Sequence, residues 1–416
     1  MQVIHHLTAA LCFLGAASAA TIQAPLSPAG NGRSISVALF SELEELARIV
    51  DISYCVGLTS LGIIKPFTCL SRCSDFPKFE LITAWNTGPL LSDSCGYVAL
   101  DHGKERIIVA FRGTYSLANT IADLSTVPQE YAPYPGPGES EHQAAGGDVS
   151  QKIMDGIDGK AKRDGTPLES EPKCDNCTVH MGFQTSWTNT RRQIMPDLEQ
   201  QVFLFPHYKL NLVGHSLGGA VAALAGLDML AHGWDPMVTT FGEPRVGNTG
   251  LVKYIDDRFH LLGGHSHGVD NDKDNTTLKF RRVTHVNDPV PLLPLTEWGF
   301  AMHAGEIHIS KAALSPDLQD LEHCEGDNDP TCAAGQDPTV LDTSMASSAP
   351  TAKRDLLASM HDELHDVMHE PWGIPTRYRL WNMLFAHRDY FWRLGLCVPG
   401  GDPFDRKGEY AWPEAL

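Results

Sequence analysis

Apolar positions along the chain follow two rhythms, a helical one and short uninterrupted runs. From Ser36 to Ile49, the side chains of Leu39, Leu43, Leu46 and Ile49 share one helical face, which predicts a helix covering a core. Strands are expected at Phe79 to Trp85, Gly96 to Asp101 and Arg106 to Phe111. The third contains Ile-Ile-Val-Ala-Phe, the pattern of a strand buried on both faces. Residues 116–125 return to the helical period, with Leu117, Ile121 and Leu124 on one face and Asn119 and Asp123 off it. Thr178 to Trp187 resumes the fold, and Trp187 to Phe203 reads as an amphipathic helix leading into a buried strand that ends with Leu210, Leu212 and Val213. Ala220 to Leu230 is apolar nearly all round at helical length, and Val238 to Phe241 and Phe280 to Val286 are further strands. Helices alternating with apolar strands predict an α/β fold with a mostly parallel central sheet.

Composition narrows the setting. The chain has 416 residues, 42% of them hydrophobic and 20% charged, enough for a sizeable core. A single α/β domain of this type uses roughly 250 residues or more. The net charge of −19 argues against nucleic acid and against electrostatic docking on anionic membranes. Residues 1–19 have the short apolar run and small-residue end of a signal peptide, although His5 and His6 stand where Lys or Arg is usual. Residues 20–34 read as a propeptide or flexible arm, and 35–416 as the folded domain. No stretch is long and apolar enough to predict a transmembrane helix. Of the 10 cysteines, Cys12 would leave with the signal. Export then favours disulfides, with Cys69/Cys73, Cys174/Cys177 and Cys324/Cys332 as local staples. Cys174-x-x-Cys177 also has metal-ligand spacing, but lacks a second pair at zinc-ribbon distance. Cys55 and Cys397 would then tie the chain ends together, leaving Cys95 as a buried thiol or an intermolecular partner.

Two polar stretches, about 130–172 and 325–380, read as inserts and carry the dibasic pairs Lys162-Arg163 and Lys353-Arg354. Both pairs are candidate sites of proteolytic nicking. Asn176-Cys-Thr and Asn275-Thr-Thr are glycosylation sequons. Asp270, Asp272 and Asp274 imitate the start of a calcium loop, but the sixth-position glycine is missing and Arg281 occupies the twelfth position. A solvated acidic loop is expected there, and no metal or organic cofactor.

The chemistry gathers around Gly214-His-Ser-Leu-Gly218. A serine between a buried strand and a long helix, with glycine two positions either side, is the pattern of a nucleophile elbow, so Ser216 is the expected nucleophile. The loop after a central strand is where an oxyanion hole is built, which offers the backbone N–H of Thr114 beside that of Leu217. Asp288, at the carboxyl end of a strand, is the expected acid. For the base, spacing leaves His303, His308, His323, His361, His365, His369 and His387 all open. A lid is one reading of the stripe at Leu117, Ile121 and Leu124, and core packing is the other.

The chain resembles the filamentous-fungal lipases of the class 3 family. The resemblance is carried by Phe-Arg-Gly-Thr at 111–114, Asn-x-Ile-Ala-Asp-Leu at 119–124, Val-His-x-Gly-Phe at 179–183 and the elbow at 214–219. It continues through Gly-Glu-Pro-Arg-Val-Gly at 242–247, Asn-Asp-Pro-Val-Pro at 287–291 and Ala-His-x-x-Tyr-Phe at 386–391. It implies an α/β-hydrolase-like fold with a short helical lid. It also implies His387 as the base, Asp288 as the acid, Thr114 and Leu217 as oxyanion donors, and Asp123 supporting the oxyanion side chain. A C-terminal cysteine bonded back to the start of the fold is likewise implied, consistent with Cys55–Cys397. The chain departs from the family at Thr120, where the best-known relatives have tryptophan, and at Gly305-Glu-Ile-His308, where they have Pro-Glu-x-Trp. The expected function is therefore a secreted, monomeric triacylglycerol lipase that contacts lipid surfaces reversibly. The alternatives are an esterase on soluble or feruloyl-type plant-wall esters and a catalytically inactive binding protein.

Overall fold

The computed structural model describes residues 33–57, 62–88, 94–114, 128–133, 173–262, 278–336 and 385–398. The signal segment, most of the arm, the lid residues Leu117, Ile121 and Leu124, Asp123, Asn275, both dibasic pairs and most of the two inserts lie outside these residues. Among the described residues, no helix is long and apolar enough to cross a membrane.

The first helix, α1 (Val37–Ile52), starts where Ser36 accepts the N–H of Leu39, an N-cap that satisfies one of the helix's orphan donors. Its expected face is fully buried at Leu39, Leu43, Leu46 and Ile49, each contributing about 1.5–3 kcal/mol relative to exposure. Arg33 and Ser34, expected in the arm, already belong to the fold. Ser34 bridges Glu322, and Arg33 donates to the His323 carbonyl at 2.9 Å.

The central sheet has eight strands in the order β1 (Phe79–Asn86), β2 (Cys95–Asp101), β3 (Arg106–Phe111), β6 (Lys209–His215), β7 (Met237–Phe241), β9 (Phe280–His285), β11 (Glu306–Ile309) and β12 (Leu321–His323). From β3 to β11 every pairing is parallel, while the flanking pairs are antiparallel. Helices α2 (Met181–Leu204) and α3 (Leu217–Ala231) pack on one face and α1 on the other. Alternation along the strands divides the core accordingly. Leu210, Leu212 and Val109 join the cluster of α2 and α3, whereas Val213, Ile108 and Ala110 join that of α1. Two buried faces explain why these strands read as continuous apolar runs.

Helix α2 starts six residues before its expected first residue and runs through Pro196. Phe183, Trp187, Ile194 and Leu198 bury its inner face, and this packing outweighs the helix-breaking tendency of an interior proline. A second, four-stranded sheet orders β10 (Phe300–Ala301), β8 (Gly247–Asn248), β5 (Thr178–His180) and β4 (Pro128–Glu130). Helix α4 (Thr249–Phe259) follows β8, capped by Asn248.

The C-terminal segment 385–398 is pinned to α1. Trp392 donates to Glu44 at 3.0 Å, Phe391 meets Phe40 edge-on, and Gly395 N–H donates to Asp51 at 2.9 Å. Cys55–Cys397 closes the attachment covalently, and Cys69–Cys73, Cys174–Cys177 and Cys324–Cys332 are also bonded. Cys95 is a buried thiol donating to Asn86 at 3.1 Å. Burial pushes the Asp51 carboxyl up to about 6, despite donors from Gly395 and Ser71 and the charge of Arg72. Between its ordinary value of 3.8 and about 6, folded Asp51 keeps a proton that the unfolded chain has released. Its contribution to stability therefore falls as pH rises through that window, by about 3 kcal/mol. Asp51→Asn, neutral throughout, is expected to remove that slope from urea-unfolding free energies measured between pH 4 and 7; an unchanged slope would refute it.

Candidate active site

Strand β6 delivers Ser216 to the N-terminus of α3 at φ 57 and ψ −131. A non-glycine residue in this sparsely populated region costs about 1–3 kcal/mol, and the surrounding packing must enforce it. The packing here is backbone against backbone. A Cβ on Gly214 would run into the Gly218 carbonyl, and one on Gly218 would lie 2.5 Å from the Phe111 oxygen. Ser216 N–H donates to the Phe241 carbonyl at 2.9 Å, which ties the elbow to β7. Gly113, directly after β3 and Arg112, comes so close that its Cβ would sit 2.7 Å from Ser216 Cβ. Thr114 therefore follows a residue in van der Waals contact with the elbow. Leu217, as the first residue of α3, has no intrahelical acceptor for its N–H.

Asp288 lies in the turn after β9, preceded by Asn287 at a left-handed φ of 66. Both of its carboxylate oxygens lie 3.0 Å from His387 Nδ1. Val290 N–H donates to Oδ1 at 3.0 Å, and the Tyr390 hydroxyl donates to Oδ2 at 2.5 Å. Burial pushes the carboxyl up, but the charge and N–H of His387, with the Tyr390 and Val290 donors, outweigh it and hold it below its ordinary value. Because the carboxylate can only accept, His387 must carry its proton on Nδ1. Its other nitrogen, Nε2, is buried without a hydrogen-bond partner among the described residues, so its lone pair remains available.

Of the seven candidate histidines, only His387 meets Asp288 among the described residues. His303 pairs with Glu243 at 3.2 Å and His308 with Thr284 at 2.9 Å, both inside a buried polar network. His323 lies on β12, and His361, His365 and His369 fall outside the described residues. The grouping with metal-ligand spacing, Glu306 with Cys324 and Cys332, has its two sulfurs bonded to each other, so neither is a thiolate that could bind a metal. Two contributors escaped sequence reasoning. Tyr390 falls in the Ala-His-x-x-Tyr-Phe motif at 386–391, and an aromatic three residues after the histidine is a usable signal. Gly242 sits at φ +60, where a Cβ would lie 2.6 Å from the Tyr390 hydroxyl, 2.9 Å from Asp288 Oδ2 and 3.0 Å from His387 Cε1. Gly242→Ala is therefore expected to lower kcat by about tenfold or more and stability by about 1–3 kcal/mol. Enzyme kinetics and thermal melts check this, and parental values in both would refute it.

The family model for "Lipase (class 3)" matches residues 108–298. The chain is 49% identical to "Secreted mono- and diacylglycerol lipase 2" of Gibberella zeae, over 97% of this chain and 93% of that one. It is 46% identical to "Lipase A" of Sodiomyces alcalophilus, over 100% and 97% of the two chains. Among solved structures, the Lip2 lipase of Yarrowia lipolytica superposes with a TM-score of 0.61 at 28% identity, covering 88% of this chain and 97% of that one. The fold is thus that of an α/β hydrolase, and the chain belongs to the class 3 lipases of fungi.

Proposed function

We propose that the chain is a secreted serine hydrolase that cleaves acylglycerol esters, with Ser216 as nucleophile, His387 as base and Asp288 as acid. The observation that carries this reading is the buried Asp288–His387 pair at 3.0 Å, with Nε2 of His387 unpartnered among the described residues. Ser216 Oγ attacks the ester carbonyl carbon as Nε2 takes its proton. The tetrahedral oxyanion is stabilised by the N–H groups of Thr114 and Leu217, each worth about 2.7–4 kcal/mol. Nε2 then protonates the departing glyceride oxygen, and water, deprotonated by the same nitrogen, releases the fatty acid from the acyl-enzyme. Asp288 holds the ring in the Nδ1–H tautomer and stabilises the imidazolium.

The Gibberella relative is named for mono- and diacylglycerols, which favours partial glycerides over triacylglycerols as preferred substrates. Leu117, Ile121 and Leu124 are proposed as the lipid-facing side of a lid, with Asp123 supporting Thr114. The enzyme is proposed to be a monomer that contacts lipid surfaces reversibly. Asn176, exposed and at a φ of 55 within the loop closed by Cys174–Cys177, and Asn275 are proposed N-glycan sites.

Diethyl 4-nitrophenyl phosphate should inactivate the enzyme stoichiometrically, with the adduct on the Ser216 peptide. An adduct elsewhere would sink the nucleophile assignment. Initial rates on emulsified mono-, di- and tributyrin then test the substrate. Smooth saturation below the solubility limit, together with faster turnover of feruloyl esters, would make the protein an esterase instead.

A further inference from the structure

Tyr54, His215 and the backbone of His387 are joined by a buried chain of hydrogen bonds outside the catalytic triad. The Tyr54 hydroxyl bonds to the backbone N–H of Gly113 and lies 2.5 Å from His215 Nδ1. His215 Nε2 lies 2.8 Å from the carbonyl oxygen of His387. A carbonyl oxygen only accepts, so Nε2 carries the proton. In the neutral ring Nδ1 is then the acceptor, and the Tyr54 hydroxyl donates to it. Its oxygen is left to accept from Gly113, so every donor meets one acceptor. All three side chains are buried, at 2%, 2% and 4% exposure.

These contacts join segments far apart in sequence, by 161 and 172 residues. The chain of bonds starts on the loop bearing Gly113 and Thr114, crosses the residue before Ser216, and ends on the backbone of His387. The His215 and His387 rings also stack, with centroids 4.8 Å apart and planes at 28°. Stacking fixes the spacing of the rings but leaves in-plane sliding soft. The directional bond to the carbonyl removes that freedom. Burial, and then the charge of His387, push the pKa of His215 down to about 3. The neighbour of the base therefore stays neutral while the base cycles through its charged form.

We propose that Tyr54 and His215 are positioning residues that hold the backbone of His387 in register with the oxyanion loop. This rests on the reading of His387 as the base. His215→Phe preserves a stacked ring but removes both nitrogens. It is expected to lower kcat on a soluble ester by about 10–100-fold with KM changed less than about twofold, as for a small misplacement of a catalytic group. His215→Gln, whose side-chain amide can reach the same carbonyl, is expected to recover most of that loss. Tyr54→Phe is expected to cost about 3–10-fold. Because Tyr54 acts partly through His215, the double variant should lose less than the product of the single losses.

Parental kcat in folded His215→Phe, a glutamine variant no better than phenylalanine, or fully multiplicative losses would each overturn the proposal. Should His215→Phe fail to fold, Tyr54→Phe carries the test, and parental kcat there overturns it. An active His387→Ala would remove the underlying reading of the base. An inactive His387→Ala with parental His215→Phe and Tyr54→Phe would remove this proposal alone.

Discussion

Replacing Asp288 by asparagine is expected to lower kcat by about 10⁴-fold while KM stays within a few-fold. The shape of the side chain is nearly unchanged, so the effect isolates protonation. In the parent, both oxygens of Asp288 face His387 Nδ1 at 3.0 Å while Val290 and Tyr390 donate to them. Asparagine keeps one acceptor oxygen, and Val290 N–H, a donor that cannot be turned round, claims it. The amide NH₂ then faces His387, which must accept with Nδ1 and move its proton to Nε2. That tautomer cannot take the Ser216 proton. The change also has a stability sign. The Asp288 carboxyl is held below its ordinary 3.8, so its stabilising contribution is present above that value and is lost as pH falls through the lower folded value. Asp288→Asn removes this contribution, and the variant should unfold more easily than the parent at pH 7 but by a margin that shrinks toward pH 3. Steady-state kinetics on a soluble ester, with circular dichroism to confirm folding, test the catalytic part. A kcat within tenfold of the parent would mean that another group orients His387.

The elbow was legible because local and global signals agree there. An apolar strand, a turn of glycines and an alanine-rich helix leave one exit for the chain, and Ser216 sits on it. The proposed base was not legible from spacing. His387 lies on the short segment 385–398, whose place is set by contacts with α1 up to 348 residues away in sequence. No periodicity encodes that distance, and only a resemblance of motifs singled the residue out. The strands β11 and β12 escaped for a different reason. Glu306 and His308 are polar at fully buried positions, and only the pairing of Glu306 with Arg282 and of His308 with Thr284 makes them core residues. The strands of the small sheet are two or three residues long, too short for an alternation to register. Helix α4 was also missed, although Asn248 accepting the N–H of Leu251 is a sound N-cap.

Ser216→Ala and His387→Ala are each expected to lower kcat by about 10⁴- to 10⁶-fold, and the double variant by no more than the worse single one. On the proposed mechanism, nucleophile and base act as one unit. Without His387 the hydroxyl has no acceptor for its proton, and without Ser216 the free Nε2 has no proton worth taking. The wrong-tautomer argument sets an order within this group, since Asp288→Asn leaves an imidazole in place and should be the mildest of the three. The residual activity carries information of its own. If the N–H groups of Thr114 and Leu217 stabilise the oxyanion independently of the triad, the double variant should still hydrolyse ester about 10³- to 10⁴-fold faster than water alone. Gly113 decides whether that floor exists, because it holds the proposed oxyanion loop against the elbow, with a Cβ position only 2.7 Å from Ser216 Cβ. Single-turnover rates of the three variants, measured against buffer, test the scheme. Losses that multiply would show that Ser216 and His387 work separately and would dissolve the triad. A double variant no faster than buffer would keep the triad and strip Thr114 and Leu217 of their role.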